Sequence, residues 1–200
     1  MFKKYLAEFI GTFTLAFAVL VALAFTGALP IGVPLIAGLV VGVFVYTIGS
    51  ISGTHLNPSV TIGLYSVKKI SLYDAINYII AQILGASFAI LVAYLYGISS
   101  PISPDDFSWV AFVAEMIGAF ILNFGIASVV YGRVSDIASG LVIGGSLSLG
   151  IIIASLSGAN GILNPAVALT LNSLSLVYIL APIVGSIGAY QVYKYIGENK

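Results

Sequence analysis

Two carboxylates and two asparagine-proline pairs stand in apolar stretches of the chain and recur at one interval. Asn57-Pro58 and Asn164-Pro165 are 107 residues apart, and Glu8 and Glu115 are separated by the same 107 residues. A carboxylate in an apolar segment needs hydrogen-bond donors, and an asparagine side chain supplies both a donor and an acceptor. The chain therefore consists of two copies of one unit, which is typical of transporters and channels built from internal repeats.

The segments that position these residues have the composition of a membrane protein. The 200 residues are 60% hydrophobic and 7% charged, with a mean hydropathy of +1.14, whereas about a quarter of the residues in a soluble domain are charged. Six apolar runs are long enough to cross about 30 Å of hydrocarbon: about 5–27, 33–51, 75–97, 108–130, 139–156 and 174–196. Two shorter apolar segments, about 57–66 and 164–172, are predicted to be re-entrant half-helices.

Several other classes of protein fit the sequence poorly. A cleavable signal peptide is the alternative for the first run, since Lys3 and Lys4 precede it, but no small-residue cleavage pattern follows and Glu8 interrupts it. The chain has no cysteine and one histidine, so no metal site or cofactor is predicted. Its formal charge is zero without a basic patch, which argues against nucleic-acid binding.

The basic residues predict how the chain is oriented. With six spans and a cytoplasmic N-terminus, every Lys and Arg falls on the cytoplasmic side: Lys3, Lys4, Lys68, Lys69, Arg133, Lys194 and Lys200. The outer connection at residues 100–106 contains Asp105 and Asp106 but no basic residue. The positive-inside rule therefore predicts that both termini are cytoplasmic.

Three spans in each copy make the two repeats inverted, because the second copy enters the membrane from the opposite side. We expect a single domain with repeat one at about 1–98 and repeat two at about 108–200. Asn is favoured as a helix N-cap and Pro at the first helical position. Half-helices that begin at Asn57 and Asn164 would bring their positive dipole ends together near the midplane. A polar waist that repels cations is the predicted result.

The sequence around the first asparagine resembles a signature of the aquaporin and aquaglyceroporin family. Residues 52–61, Ser-Gly-Thr-His-Leu-Asn-Pro-Ser-Val-Thr, are similar to the family's Ser-Gly-x-His-x-Asn-Pro-Ala pattern. Ala-Glu8-x-x-Gly11-Thr-Phe and Ala-Glu115-x-x-Gly118-Ala-Phe resemble the starts of its first and fourth helices. The resemblance covers nearly the whole chain. It implies an all-α, right-handed bundle of six helices and two half-helices, with a pore in each subunit of a homotetramer in the lipid bilayer.

The resemblance also implies roles for individual residues. Asn57 and Asn164 would donate hydrogen bonds to the permeating oxygen. The complete waist motifs are Asn57, Pro58, Ser59, Asn164, Pro165 and Ala166. Glu8 and Glu115 would hold the re-entrant loops, although each also lies near a segment end and could instead sit at the membrane interface. His55 would satisfy loop backbone near the pore.

The outer filter departs from the family's pattern. Val167 stands where typical members place an arginine, and the stretch before it, residues 157–164, is about two residues longer than usual. The other filter positions are expected at Ala37, Gly150 or Ile151, and Gly161. The filter residues Ala37, Gly150, Gly161 and Val167 have neither bulk nor charge, so a wide, apolar outer mouth is predicted.

A passive channel for water and small uncharged solutes is the function that the resemblance implies. An ion-coupled secondary transporter is the alternative, since such proteins also use inverted repeats with broken helices. That reading normally requires an acid or base at the midplane, whereas Glu8 and Glu115 lie near segment ends. An intramembrane enzyme is disfavoured, because the chain has one histidine, no cysteine and no nucleophile motif.

Overall fold

The structure, a computed structural model, describes residues 2–28, 31–102 and 107–197. Three residues used in the sequence argument, Lys200, Asp105 and Asp106, lie outside the described residues. The described ranges contain eight α-helices and no strands: α1 (Phe2–Ala24), α2 (Val33–Ser52), α3 (Pro58–Ser66), α4 (Leu72–Leu95), α5 (Trp109–Val130), α6 (Asp136–Leu156), α7 (Pro165–Thr170) and α8 (Leu176–Gly197). Six of them have 20 to 24 residues and are apolar enough to span a membrane. The all-α fold with six spanning helices and two short helices is confirmed.

The helix ends differ from the apolar runs by a few residues. Helix α1 begins at Phe2, and α6 begins at Asp136, three residues before the predicted 139. Polar residues extend these helices because they have partners at the ends: the Lys4 Nζ lies 2.8 Å from an Asp74 carboxylate oxygen at the start of α4. Asp136 lies in the first turn of α6, where a carboxylate is favoured by the helix dipole.

The packing of the helices follows the same pattern in the two halves of the chain. Helix α1 packs against α2 and α4, and α5 packs against α6 and α8 in the same way. Each short helix crosses to the other repeat, since α3 packs on α8 and α7 packs on α4. The starts of α1 and α5, Phe2 and Trp109, again differ by 107 positions. The two copies are thus interlocked through their short helices.

Glycines bring α2 and α6 together across the boundary between the repeats. A Cβ added to Gly42 would lie 2.9 Å from the Gly140 carbonyl oxygen, and one added to Gly144 would overlap the Gly38 carbonyl. Small residues spaced four apart permit such close backbone contact. This contact sets the separation of the two helices that carry Ala37 and Ile151.

Candidate pore and its filter

The two asparagine-proline pairs begin the two short helices. Asn57 Oδ1 accepts a hydrogen bond from the Ser59 amide at 2.9 Å, and Asn164 Oδ1 accepts one from the Ala166 amide at 3.0 Å. Each proline occupies the first turn, where its missing N–H has no partner to lose. In each asparagine the side-chain oxygen accepts the capping hydrogen bond, which leaves the NH₂ group available as a donor to other groups.

Each NH₂ group bonds to the opposite repeat. Asn57 Nδ2 donates to the Leu163 carbonyl at 3.0 Å, and Asn164 Nδ2 donates to the Leu56 carbonyl at 2.9 Å. Both asparagines line the same cavity, and an NH₂ group carries two donor hydrogens. One N–H of each asparagine therefore joins the two repeats, and the other is available to a molecule in the cavity.

Ser59 adds a contact that its counterpart Ala166 cannot make. Its hydroxyl donates to Asn57 Oδ1 at 2.9 Å and lies 3.4 Å from the Leu163 carbonyl oxygen. Serine in place of the usual alanine of the family signature therefore reinforces the first cap.

Glu8 is fully buried and accepts four hydrogen bonds. One carboxylate oxygen accepts from the Ser52 hydroxyl at 2.7 Å and from the His55 amide at 2.9 Å. The other accepts from the Leu56 amide at 2.7 Å and from Gln82 Nε2 at 2.8 Å. This environment is the interior of the bundle, and it does not fit the alternative of a carboxylate at the membrane interface.

Glu115 is also fully buried, but it is more sparsely partnered. It accepts hydrogen bonds from the Ile162 amide at 2.8 Å and the Leu163 amide at 2.7 Å. The residues 107 positions after Ser52 and Gln82 are Ala159 and Ala189, which have no side-chain donor. The second re-entrant loop is therefore held through backbone amides, whereas the first is held through backbone and side chains.

The glycine of each Glu-x-x-Gly motif lies one turn after the glutamate and contacts the re-entrant loop. A Cβ at Gly11 would collide with the Leu56 side chain, and one at Gly118 would lie 2.6 Å from Leu163 Cδ2. Leu56 and Leu163 both have positive φ, +49° and +56°, a conformation that costs energy for a branched side chain. In each repeat the glutamate binds the loop amides, and the glycine makes room for the side chain of the loop leucine. The carbonyl of that leucine accepts the hydrogen bond from the asparagine of the other repeat.

His55 is positioned by three contacts. Its amide bonds to Glu8, its Nδ1 lies 3.0 Å from Thr61 Oγ1, and its ring packs edge-on against Tyr78 at 4.9 Å between centroids. The Tyr78 hydroxyl in turn donates to the Ser52 carbonyl at 2.7 Å. Tyr78 was not expected from the sequence, because nothing in its spacing marks it as a partner of the loop.

Two adjoining cavities run through the bundle. One of about 160 Å³ extends past both asparagines to Leu23 and Val33, and it is large enough for several water molecules. The second, of about 580 Å³, is lined on its far side by Lys69 and Asp136. Both are lined by Thr54, His55, Val60, Ile126 and Ile143. The two together form a candidate path across the membrane.

Of the two candidates for the filter position on α6, Gly150 and Ile151, one lines the first cavity. Ala37, Gly161 and Val167 line the first cavity, as does Ile151. Gly150 does not, because it faces α5: a Cβ added there would lie 2.5 Å from the Gly118 carbonyl oxygen. Successive residues on a helix point about 100° apart, and here Ile151 points to the cavity while Gly150 points to α5.

One polar residue of the outer mouth, Ser155, was not expected from the sequence. Ser155 and Asn160 line the first cavity, and Asn160 Nδ2 bonds to the Tyr178 hydroxyl at 2.7 Å. Ser155 follows Ile151 by one helical turn, so the helical period would have found it once Ile151 was chosen.

Comparison with known proteins agrees with this architecture. The family model described as "Major intrinsic protein" matches residues 1–193. The chain is 34% identical to Aquaporin AqpM of Methanothermobacter thermautotrophicus over 97% of both chains. It is 38% identical to Glycerol uptake facilitator protein-like 6 of Lactiplantibacillus plantarum, over 98% of this chain and 99% of that one. The solved structure of the aquaglyceroporin from Plasmodium falciparum superimposes with a TM-score of 0.70 at 28% identity, covering 98% and 96% of the two chains.

The fold, the paired half-helices and the family of these relatives define a passive transmembrane channel. The chain belongs to the major intrinsic protein family. It is accordingly an integral, multi-pass membrane protein.

Proposed function

We propose that the chain conducts water and small uncharged solutes through the cavity that contains Asn57 and Asn164. The observation that carries this proposal is the reciprocal bonding of the two asparagines, which leaves one N–H of each directed to no protein acceptor among the described residues. These hydrogens can replace part of the hydration of a passing oxygen. The N-termini of α3 and α7 add positive potential at the same level, which disfavours cations.

The outer filter sets which solutes enter. We assign it to Ala37, Ile151, Gly161 and Val167, which line the cavity on the side of Leu23 and Val33. None of the four carries a charge, and the arginine typical of the family is absent. An opening without that bulk and charge admits molecules larger than water, so small polyols and amides fall within the proposed range. The names of the relatives, an aquaporin and a glycerol uptake facilitator-like protein, fit that range.

The loop-supporting residues act indirectly. Glu8, Glu115 and His55 hold the segments before the two asparagines. Their proposed role is to fix the Leu56 and Leu163 carbonyls, which receive the asparagine NH₂ groups.

The assembly and orientation are also proposals. The chain functions as one channel domain, with repeat one at about 1–98 and repeat two at about 108–200, as a homotetramer whose termini are cytoplasmic. Side chains such as Leu141 and Leu156, 76% and 84% exposed on this single chain, would face lipid or a neighbouring subunit. Because the chain has no cysteine, Lys68→Cys and Ser99→Cys can be labelled singly: an impermeant maleimide should reach Lys68→Cys from the cytoplasm and Ser99→Cys from outside.

Passive flux is tested against coupled transport in proteoliposomes. Glycerol should equilibrate across the vesicle membrane without accumulating, whether or not a proton or sodium gradient is present. Accumulation above the external concentration that collapses with such a gradient would support the transporter alternative instead.

A further inference from the structure

The outer filter lacks a side-chain hydrogen-bond donor at its four assigned positions. Ala37, Ile151, Gly161 and Val167 have neither N–H nor O–H in their side chains. A polyol or amide that enters the filter gives up water from its oxygens, and an oxygen left without a donor costs free energy. A solute of this class therefore needs a donor from some other residue at the same level.

Ser155 lies at that level. It follows Ile151 by one turn of α6 and lines the same cavity. A Cβ added to Gly161 would overlap the Ser155 hydroxyl and would lie 2.8 Å from the Ile151 carbonyl oxygen. The Ser155 hydroxyl thus occupies the volume that a side chain at the Gly161 filter position would fill.

The backbone at Gly161 suits this arrangement. Its φ is +66°, in the left-handed region that glycine adopts at little cost. A glycine there lets the loop turn and leaves room for a group from the neighbouring helix. The bare filter position and the serine on α6 are therefore two parts of one local structure.

The Ser155 hydroxyl is loosely held, unlike other polar groups of the cavity wall. Its hydrogen bond to the Asn160 carbonyl is 3.5 Å long, at the limit for such a bond, and the residue is exposed. By contrast, the Thr54 hydroxyl bonds to the Phe44 carbonyl at 3.1 Å. The serine hydroxyl can therefore rotate to donate to a solute oxygen, and it gives up only this weak hydrogen bond to the Asn160 carbonyl.

We propose that Ser155 is the specificity-determining hydrogen-bond donor of the outer filter, which favours solutes with hydroxyl or carbonyl oxygens over water alone. This inference rests on the proposed passive channel. Asn57 and Asn164 donate hydrogen bonds to the solute at the waist, and Ser155 donates one at the outer entrance.

The test compares the ratio of glycerol to water permeability in proteoliposomes by stopped-flow light scattering. Ser155→Ala should lower this ratio by about three- to tenfold, the effect expected from one hydrogen bond, with little change in water permeability. Ser155→Thr, which retains the hydroxyl, should restore most of the ratio. The matched control is Ser157→Ala, because Ser157 is exposed at the end of the same helix and does not line the cavity.

The outcomes separate this inference from the proposed function. A parent protein with no flux above protein-free vesicles contradicts the channel, and a parent that passes water but no glycerol contradicts both. An unchanged ratio in Ser155→Ala, or equal loss of water and glycerol flux, contradicts only the role of Ser155. A lowered ratio that Ser155→Thr restores supports it.

Discussion

At the scale of single residues, each waist asparagine makes two structural hydrogen bonds and keeps one N–H for the proposed role in transport. The oxygen of Asn57 caps α3, and one N–H binds the Leu163 carbonyl of the other repeat. Asn164 does the same for α7 and the Leu56 carbonyl. The cap and the crossing bond together fix the plane of each side-chain amide. The remaining N–H of each asparagine is therefore held in one direction, and no further residue is needed to orient it.

Val167→Arg should narrow the outer filter and place a fixed positive charge in it. The ratio of glycerol to water permeability in proteoliposomes is expected to fall by about tenfold, equivalent to about 1.4 kcal/mol of added barrier, because glycerol needs the greater width. Ser157→Arg is the control, since it adds the same charge outside the cavity lining. An unchanged ratio in Val167→Arg would show that another residue closes the outer mouth.

The two buried glutamates should differ in their contribution to stability. Glu8→Ala removes the acceptor of two backbone amides and two side-chain donors, whereas Glu115→Ala removes the acceptor of backbone amides alone. We expect both to destabilise the protein by about 1–3 kcal/mol, Glu8→Ala more than Glu115→Ala, with Gln at either position milder than Ala. The apparent melting temperature in detergent and water flux in vesicles report this effect.

The control for the glutamates is Thr14→Ala, because the Thr14 hydroxyl bonds only within α1, to the Ile10 carbonyl. If the Ala variants of both glutamates matched the parent in melting temperature and in flux, the loop-supporting role would be wrong.

The sequence could predict part of this chemistry. An acidic residue in an apolar run must find donors, so Glu8 and Glu115 were evident from their setting. Their hydrogen-bond partners were harder to predict. Gln82 lies 74 residues from Glu8, and that contact depends on how α1 packs against α4. The choice between Gly150 and Ile151 depends on helix rotation, which the lengthened loop left unspecified in the sequence.

At the scale of elements, the two short helices end in the same way. Asn172 has φ +56°, and the Ser173 amide bonds to the Ala168 carbonyl at 2.9 Å. The turn after α3 is similar: Lys68 has φ +61°, and the Lys69 amide bonds to the Leu64 carbonyl at 2.9 Å. Such left-handed C-terminal turns satisfy the last carbonyls. The apolar composition continues into this turn as far as Leu171, which is why the predicted segment 164–172 extends beyond α7.

The loop–helix contact at the two motif glycines can be tested directly. Gly11→Ala and Gly118→Ala place a methyl group against Leu56 and Leu163, and overpacking of this kind costs about 1–3 kcal/mol. Because those leucines carry the carbonyls that bind the asparagines, water flux per protein should also fall. Gly145→Ala is the matched control.

Gly145 lies within α6 with no atom within 4 Å of an added Cβ, so its substitution should leave flux intact and stability equal or slightly higher. Equal behaviour of all three alanine variants would contradict the contact between the motif glycines and the leucines.

At the scale of the whole molecule, the inverted repeat explains why one interval of 107 residues relates both pairs of polar residues. The fold class followed from composition and from the odd number of spans in each copy. The interlocking of the copies was beyond sequence reasoning, because α3 packs on α8 and α7 on α4 through contacts between distant segments. This interlocking places both half-helix N-termini beside one cavity.

The central claim is that solutes cross through this cavity. The most direct measurement is stopped-flow glycerol and water influx for the parent and for Val167→Trp, whose indole should fill the cavity while the amide of residue 167 keeps its contact with Asn164 Oδ1, 3.4 Å in the parent. The account predicts rates for the parent well above protein-free vesicles and loss of most of that increment in a well-folded Val167→Trp. Parent rates equal to those of protein-free vesicles, or a Val167→Trp variant as permeable as the parent, would contradict it.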